Sequence, residues 1–226
     1  MGAVINAITI VVCGLIGLGL KAGIPKRFNE RLMHGVGLCV LVLGIVGVIT
    51  VENTMVMIIS VILGTLVGEA LDLDGLIKKG VHTVEGKVKH LQFASNLGEG
   101  FVAATMIFVV GSMAIVGSLE SGLLGVNATL YAKSVLDGIT SILLASSLGA
   151  GVIFSSIPVL MYEGGIILLA GAMEPYLGAA VINEVVVVGS LLLIGLGLNI
   201  LEITNLKIMN YVPAMLLPII IMQFIG

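Results

Sequence analysis

Long apolar runs of about 18 residues or more dominate the chain, separated by short polar turns and one longer polar segment. Runs of this length are typical of helices that cross a bilayer, and the period-two alternation of half-buried strands is absent. The pattern therefore predicts an all-α, polytopic transmembrane helical bundle of about eight segments. The predicted segments are approximately residues 3–20, 33–49, 55–70, 98–119, 128–148, 151–173, 184–201 and 208–225.

Segments five and six contain the most polar stretch of the apolar part of the chain, Asn127–Gly165. It holds three ionisable side chains, six serines, Pro158 and many glycines. Glycine and proline weaken a helix, and non-helical backbone at membrane depth is tolerated only against protein or a water-filled cavity. Segments five and six therefore either cross the membrane or form re-entrant halves, with a flexible break predicted at residues 146–158.

One long polar segment, residues 71–96, interrupts the apolar pattern between segments three and four. Apolar residues recur there every three or four positions, and lysines lie mostly between them. This spacing predicts an amphipathic helix with basic flanks, suited to an anionic membrane surface or to the ends of neighbouring helices. Residues 1–226 are thus interpreted as one integral membrane domain with an amphipathic cytoplasmic segment at about 71–96.

Two hairpin-like stretches, residues 37–64 and 189–218, suggest an inverted repeat. Each combines a glycine-rich apolar run, a short turn with Glu and Asn, and a second apolar run. In a topology of eight crossings the two hairpins run in opposite directions, as an inverted repeat requires. Chance similarity between apolar hairpins is common, so the repeat remains one of two interpretations.

Composition narrows the class further. The chain is 58% hydrophobic and 10% charged, whereas a soluble domain carries about 25% charged residues. A water-surrounded fold of this length could not cover its surface with so few charges. Since no basic patch interleaved with aromatic residues predicts binding to nucleic acid, the expected partner is the lipid bilayer.

The distribution of Lys and Arg predicts an orientation. With the N-terminus outside, nine of the ten basic residues fall in cytoplasmic loops, and the opposite loops hold only the acids Glu52, Glu120 and Glu174. This arrangement satisfies the positive-inside rule. The tenth basic residue is Lys133, inside segment five. If segments five and six are re-entrant, the C-terminal end changes sides.

Lys133 and Asp137 are the main candidates for function. They are four residues apart, so on a helix they share a face and pair, and an isolated charge near the bilayer centre costs at least about 2.5–3.5 kcal/mol. One interpretation is that they only neutralise each other and pin a helix. The other, favoured because further polar groups converge nearby, is an ion-pair gate or a site that binds substrate or protons in turn.

Glu163, in the sequence MYEGG, is the third ionisable candidate. Its expected depth is the outer half of the membrane, where a carboxylate either reaches the interface or serves as a proton- or cation-coupling group. Further candidate substrate- or ion-binding side chains are Ser134, Ser155 and Ser156 on segments five and six, and Ser112 and Glu120 on segment four and its exit. Asn6 and Asn199 are buried amides of the kind that more often join helices than bind ligands.

Signals for catalysis are weak. Lys133 and Ser134 are adjacent and do not share a helix face, and no G-x-S-x-G, H-E-x-x-H or phosphate loop is present. Cys13 and Cys39 lie in apolar runs without a Cys or His at metal-ligand spacing. The chain is therefore predicted not to be an enzyme and to use no cofactor or metal.

Three stretches carry a family resemblance: MGAVINAITIVVCGLIGLGLKAGIP at the start, FVVGSMAIVGSLESGLLG, and KSVLDGITSILLASSLGAGVIFSSIPVLMYEGG. With these the chain resembles, over essentially its full length, the YdfK/YqgA-like bacterial inner-membrane proteins, a domain-of-unknown-function family. The resemblance implies a multi-pass protein of the bacterial cytoplasmic membrane. It implies no biochemical activity and no site residues.

Two functions fit these observations. The favoured hypothesis is a small secondary transporter or channel for an ion or small polar solute, with Lys133 and Asp137 as a switchable pair and Glu163 as the coupling carboxylate. The alternative is a non-transporting membrane scaffold or sensor that recruits a partner through residues 71–96. Glycine-rich helix faces also favour homo-oligomerisation.

Overall fold

The structure is a computed structural model that describes residues 1–21, 26–76, 78–79 and 97–225. Within these residues all regular structure is helical. The helices are α1 (Gly2–Lys21), α2 (Lys26–Val48), α3 (Thr54–Leu71), α4 (Leu97–Val110), α5 (Ser112–Leu124), α6 (Ala128–Leu148), α7 (Gly151–Phe154), α8 (Ser156–Met173), α9 (Ala179–Ile200), α10 (Ile208–Tyr211) and α11 (Leu217–Ile225). Two 3₁₀ turns, Glu174–Tyr176 and Val212–Leu216, join α8 to α9 and α10 to α11.

Several of these helices are long and apolar enough to cross a membrane. Among the described residues, five spans meet that test by length and composition, or six if the bent pair α4 and α5 counts as one. The five long spans are Gly2–Leu20, Thr54–Leu71, Ala128–Leu148, Gly151–Tyr176 and Ala179–Ile200. Two shorter apolar helices lie at Met33–Val48 and Ile208–Phe224. The protein is therefore a helical membrane protein whose apolar segments agree with the predicted number of about eight.

The sharp break in the helical pattern lies in segment four, not in segments five and six. Helices α4 and α5 meet at Gly111 with an angle of 61° between them, and Gly111 has extended backbone angles, φ −69° and ψ 140°. Gly–Ser pairs are common sites of such kinks, and here Ser112 follows Gly111. The sequence predicted one continuous segment over 98–119, which is wrong at this position. The bend is that of a broken span or of a re-entrant loop.

The predicted flexible region at residues 146–158 is mostly helical. Helix α6 continues through Ser146 and Ser147 to Leu148, and the backbone departs from helix only at residues 149–150 and 155. Gly149 has a φ of +88°, a conformation that favours glycine because other residues carry a Cβ that clashes. Since α6 and the Gly151–Tyr176 span are each long enough to cross the membrane, neither requires a re-entrant path.

The last two segments also differ from their predicted boundaries. Helix α9 begins at Ala179, five residues before the predicted start, so Glu184 lies inside the helix rather than at its end. Segment eight is interrupted by the 3₁₀ turn Val212–Leu216, which contains Pro213 near its start. Proline lacks a backbone N–H donor, which is consistent with the interruption of the α-helix at this position.

The predicted amphipathic helix falls largely outside the described residues. Residues 73–76 and 78–79 are helical, and the exposed Lys78 forms an ion pair of 2.6 Å with the largely buried Asp74, four residues earlier. Residues 77 and 80–96, which carry most of the amphipathic pattern, lie outside the described part of the chain. The amphipathic segment therefore stays a prediction.

The contacts divide the chain into two compact units, the first of which comprises Met1–Met33 and Gly80–Met173. In this unit α1 packs most extensively along α6 and also contacts α8. Gly2 lies against Leu130 and Gly17 against Ile142, so the two helices run in the same direction. A Cβ at Gly17 would overlap the backbone of Ile142, so glycine at this position permits the close approach of α1 and α6.

The second unit comprises His34–Lys79 and Glu174–Gly226. Here α2 approaches α9 so closely that a Cβ on Gly44 would lie 2.7 Å from the carbonyl oxygen of Ser190. Asn210 is completely buried; it donates to Oε2 of Glu69 (2.5 Å) and accepts from the backbone N–H of Asp74 (2.7 Å). Lys207 donates to Oε1 of Glu69 (3.2 Å), a hydrogen bond that raises the pKa of Lys207. The single domain and the inverted repeat remain predictions.

Candidate functional site

A cluster of four buried polar side chains lies where α1, α6 and α8 of the first unit meet. Lys133 and Asp137 come from α6, Glu163 from α8 and Asn6 from α1. Lys133 forms an ion pair with Oδ2 of Asp137, and its Nζ lies 3.5 Å from Oε1 of Glu163. Nδ2 of Asn6 donates to Oδ2 of Asp137 (2.9 Å) and to Oε1 of Glu163 (2.8 Å). We call Lys133, Asp137, Glu163 and Asn6 the polar cluster.

Local sequence explains how each helix delivers its side chain. The spacing of four places Lys133 and Asp137 on one face of α6. That face is turned to α1, because Gly138 next to Asp137 packs against Thr9 and Cys13. Asn6 lies on α1 about one turn before Thr9, so its amide reaches the same interface. The contact of α1 with α8 then brings Glu163 to it.

The polar cluster is almost completely removed from the molecular surface. The exposed fraction of the residue is 0% for Asn6 and Glu163, 4% for Lys133 and 7% for Asp137. Charges in such surroundings are costly unless paired and hydrogen-bonded. The ammonium of Lys133 also lies 5.9 Å from the ring centroid of Phe108 on α4, within range of a cation–π contact. Buried ionisable residues inside membrane segments are typical of functional sites.

Some atoms in and beside the polar cluster lack a hydrogen-bond partner within the described residues. They include Oε2 of Glu163 and Oδ1 of Asn6, two acceptors whose side chains are already joined by one hydrogen bond. Oγ of Ser141 also lacks a partner, and Ser141 lies one turn beyond Asp137 on the same face of α6. Lys133, Asp137 and Ser141 thus form a continuous polar row along α6.

The predicted serines do not join the polar cluster. Ser134, Ser155 and Ser156 are buried, and each hydroxyl donates to a backbone carbonyl of its own chain segment: to Leu130 (2.8 Å), Val152 (2.6 Å) and Ile153 (2.7 Å), respectively. Serines in helices commonly bond back in this way. In the structure these three hydroxyls therefore contact backbone carbonyls rather than the polar cluster, and their role in substrate binding stays a prediction.

The described hydrogen bond of Glu120 lies outside the polar cluster. Oε2 of Glu120 accepts a hydrogen bond of 2.5 Å from the hydroxyl of Thr129, which ties the end of α5 to the start of α6. Asn127, between these helices, accepts from the hydroxyl of Ser121 (2.8 Å) and from the backbone N–H of Gly2 (3.0 Å). Ser112 begins α5, and its side chain lies outside the described part of the chain.

Two further residues make contacts between segments. The predicted helix-joining role of Asn6 is confirmed, since its amide joins α1 to both carboxylates of the polar cluster. The signal in the sequence is that Asn6 is the only amide in an otherwise apolar first segment. Glu184 was taken for a segment boundary, yet it is 1% exposed. Its Oε1 accepts from the backbone N–H groups of Glu52 (3.2 Å) and Asn53 (2.8 Å) in the turn before α3.

We expect Glu184→Ala to destabilise the second unit by about 1–3 kcal/mol, since two backbone donors lose their acceptor. Glu184→Gln keeps an acceptor oxygen and is expected to lose less. The measurement is the free energy of unfolding by SDS in mixed micelles. Asn183→Ala is the neighbouring control, because Asn183 makes one exposed hydrogen bond of 2.9 Å to Thr50. An equal loss of unfolding free energy in Asn183→Ala and Glu184→Ala would contradict the role of Glu184 as acceptor for the backbone N–H groups of Glu52 and Asn53.

No group of three or more His, Cys, Asp or Glu side chains among the described residues is arranged to hold a metal ion. The polar cluster itself contains two carboxyl groups, one ammonium and one amide, and its amide and ammonium donors face carboxyl oxygens as acceptors.

Comparison with known proteins gives full-length matches. The family model described as "Protein of unknown function (DUF554)" matches residues 1–223. The "Uncharacterized membrane protein YdfK" of Bacillus subtilis (strain 168) is 32% identical over 221 residues, covering 96% of this chain and 93% of that protein. The "Uncharacterized protein YqgA" of Escherichia coli (strain K12) is 31% identical over 224 residues, covering 96% and 94%. No solved structure gives a significant match.

Proposed function

We propose that this chain, which belongs to the DUF554 family of proteins of unknown function, is a small secondary transporter or channel for an ion or small polar solute. The observation that carries the proposal is the polar cluster, in which Lys133, Asp137 and Glu163 are buried together on helices long and apolar enough to cross a membrane. A protein that needed only rigid helix packing would gain little from three ionisable groups at this position, because apolar side chains of similar volume stabilise at least as well.

The cluster has the parts that an exchanging site requires. Lys133 lies within ion-pair distance of both Asp137 and Glu163, so it is able to shift its pairing from one carboxylate to the other. Asn6 holds both carboxylates at once. In our proposal Lys133 and Asp137 form the switchable pair, Glu163 is the coupling carboxylate, and Asn6 fixes their spacing.

We further propose the bacterial cytoplasmic membrane as the location, with the N-terminus outside. The two relatives come from bacteria, and the one from Bacillus subtilis is named a membrane protein. The orientation depends on successive segments crossing the membrane in alternating directions, so that segments one and five run in the same direction. The parallel course of α1 and α6, which correspond to these two segments, supports it. Lipid and a second copy of the chain are the proposed neighbours of the exposed apolar helix faces.

The proposed orientation also places the polar cluster at a defined depth in the membrane. Asn6 lies four residues after the start of α1 and Lys133 five residues after the start of α6, which corresponds to about 6–8 Å at 1.5 Å per residue. The cluster would then lie in the outer half of the membrane. A transport path must continue from it towards the cytoplasm, past Ser141 on the same face of α6.

Water access at Ser141 tests the proposal without knowledge of the substrate. In a background without Cys13 and Cys39, we expect Ser141→Cys to react with a charged, membrane-impermeant thiol reagent in oriented membranes, because a thiol forms its reactive thiolate only where water reaches it. The control is Ser60→Cys on α3. Ser60 and Ser141 are both 0% exposed, and the hydroxyls of both lack a partner among the described residues.

Reaction at Ser141→Cys with none at Ser60→Cys would support a polar path through the first unit. If neither cysteine reacts under any condition, the polar cluster is a static pin between helices and the transport proposal fails. Equal reaction at both positions would indicate general loosening of the protein and would also contradict a defined path.

A further inference from the structure

We propose that Glu163 holds an exchangeable proton at neutral pH, as the acid half of an amide–carboxylic acid pair with Asn6. The ion coupled to transport would then be a proton. This inference rests on the proposed transport function and names the ion that the polar cluster uses.

The first argument is the charge of the polar cluster. If every group is ionised, one ammonium faces two carboxylates, and the cluster carries a net charge of −1. Within the described residues the ion pairs of both Asp137 and Glu163 are made with Lys133. An uncompensated buried charge costs several kcal/mol, and more inside a membrane. One further positive charge is therefore required at the carboxylates.

The second argument locates that charge on Glu163 rather than on Asp137. Oδ2 of Asp137 accepts from both Lys133 and Asn6, so the ionised form of Asp137 is well supported. Glu163 accepts one hydrogen bond, from Asn6, while Lys133 stays 3.5 Å away. Glu163 is also the more deeply buried carboxyl, with an exposed fraction of 0% against 7% for Asp137.

The third argument comes from the two atoms left without a partner. Nδ2 of Asn6 already donates to Oε1 of Glu163, and the atoms that remain are Oδ1 of Asn6 and Oε2 of Glu163. Both are acceptors and so cannot bond to each other. A proton on Oε2 turns one of them into a donor, and the two side chains then form the paired hydrogen bonds of a carboxamide and a carboxylic acid. One proton thus satisfies both atoms and removes the net charge.

A metal cation fits the same place less well. Sodium sites in transporters commonly use backbone carbonyls of unwound helices, whereas Asn6, Lys133, Asp137 and Glu163 all lie within helices whose carbonyls are engaged in helical hydrogen bonds. The ammonium of Lys133 would also repel a second cation beside it. A proton needs neither extra ligands nor space.

The proposed exchange is a single proton transfer. Glu163 releases it from Oε2 to water, the electron pair of the O–H bond stays on the oxygen, and Lys133 becomes the counter-ion of the new carboxylate from its position 3.5 Å away. Among the described residues, the charged groups facing Glu163 are Lys133 and Asp137 on α6; Phe108 on α4 is uncharged. Tyr162 precedes Glu163 on α8, and Glu120, the acid of α5, is engaged with Thr129.

Infrared difference spectroscopy of the full-length protein in lipid nanodiscs tests the proton directly. We expect the carbonyl-stretch band of a protonated carboxyl group at neutral pH, its loss in Glu163→Gln and its retention in Glu184→Gln, the buried carboxyl of the second unit. Asn6→Ala should shift the band, because the acid loses its amide partner. An unchanged band in folded Glu163→Gln would overturn the proposal, and so would an unchanged band in folded Asn6→Ala. Because the two variants are independent tests, one of them is sufficient if the other does not fold.

Coupling is tested by proton flux into vesicles that contain a pH indicator, driven by a potassium diffusion potential. We expect flux through the wild type and Glu184→Gln and its loss in Glu163→Gln. If Ser141→Cys is water-accessible but Glu163→Gln leaves the flux unchanged, transport stands and the proton inference is wrong. If the carboxyl band belongs to Glu163 but neither flux nor water access is found, the proton is static and both proposals fail.

Discussion

Replacing Lys133 by Met is expected to reduce the free energy of unfolding by about 3–5 kcal/mol, the range for removing one partner of a buried ion pair. The substitution leaves Asp137, 7% exposed, without its counter-ion beside the buried Glu163. The remaining stabilising donor is the amide of Asn6, which both carboxylates share. The measurement is unfolding by SDS in mixed micelles at neutral pH, followed by circular dichroism.

The chain contains a matched control for this change. Asp74 and Lys78 are also four residues apart and also form an ion pair, of 2.6 Å, but the side chain of Lys78 is 67% exposed. Exposed pairs of this spacing contribute about 0.3–0.5 kcal/mol, so Lys78→Met should change stability little. Lys133→Met/Asp137→Leu should recover much of the loss, because it removes both charges. A loss in Lys133→Met as small as that in Lys78→Met would show that the cluster is hydrated.

The second large effect is expected at Gly17 on α1. A Cβ at this position would overlap the carbonyl oxygen of Ile142 and lie 2.9 Å from Cβ of Ala145 on α6. A backbone atom cannot rotate away as a side chain does, so α1 and α6 must separate. We expect Gly17→Ala to destabilise the protein by about 1–3 kcal/mol, the usual cost of overpacking, measured by the same SDS titration.

Gly19, two residues further along α1, provides the control with the opposite expected sign. Nothing lies within 4 Å of a Cβ built there. Because Ala is favoured over Gly in helices by about 0.8–1.0 kcal/mol, Gly19→Ala should be neutral or stabilising. If the two variants lose stability equally, the close approach of α1 and α6 is not the cause.

The membrane class and most helix positions followed from the sequence, because hydropathy over about 20 residues is a local property. Helix α6 begins and ends where the pattern predicted, at Ala128 and Leu148. Breaks were predicted less well. The break predicted at residues 146–158 is present at residues 149–150 and 155, with most of that region helical, whereas the sharp bend at Gly111 was not predicted. Composition marks where a helix is weak; packing against other helices determines which weak point bends.

Within the candidate site, the sequence could predict only what one helix determines. The pairing of Lys133 with Asp137 follows from their spacing of four residues on α6, and the structure contains it. That Glu163 joins this pair depends on the packing of α8, and that Asn6 links both carboxylates depends on α1, which is more than 120 residues away in sequence. The hydroxyls of Ser134, Ser155 and Ser156 donate to backbone carbonyls of their own chain segment, so their role in substrate binding stays a prediction.

The sequence by itself determined that Lys133 lies within a predicted apolar segment, apart from the other basic residues, and that Asp137 is its partner on the same helix face. The tertiary structure decided that two carboxylates share this ammonium, and that Asn6 and Glu163 each keep an acceptor without a partner in the described part of the chain. The reason is that hydropathy and helical periodicity act within one segment, whereas the charge balance of a buried site depends on side chains from three helices. That balance is the basis for the proposed proton on Glu163.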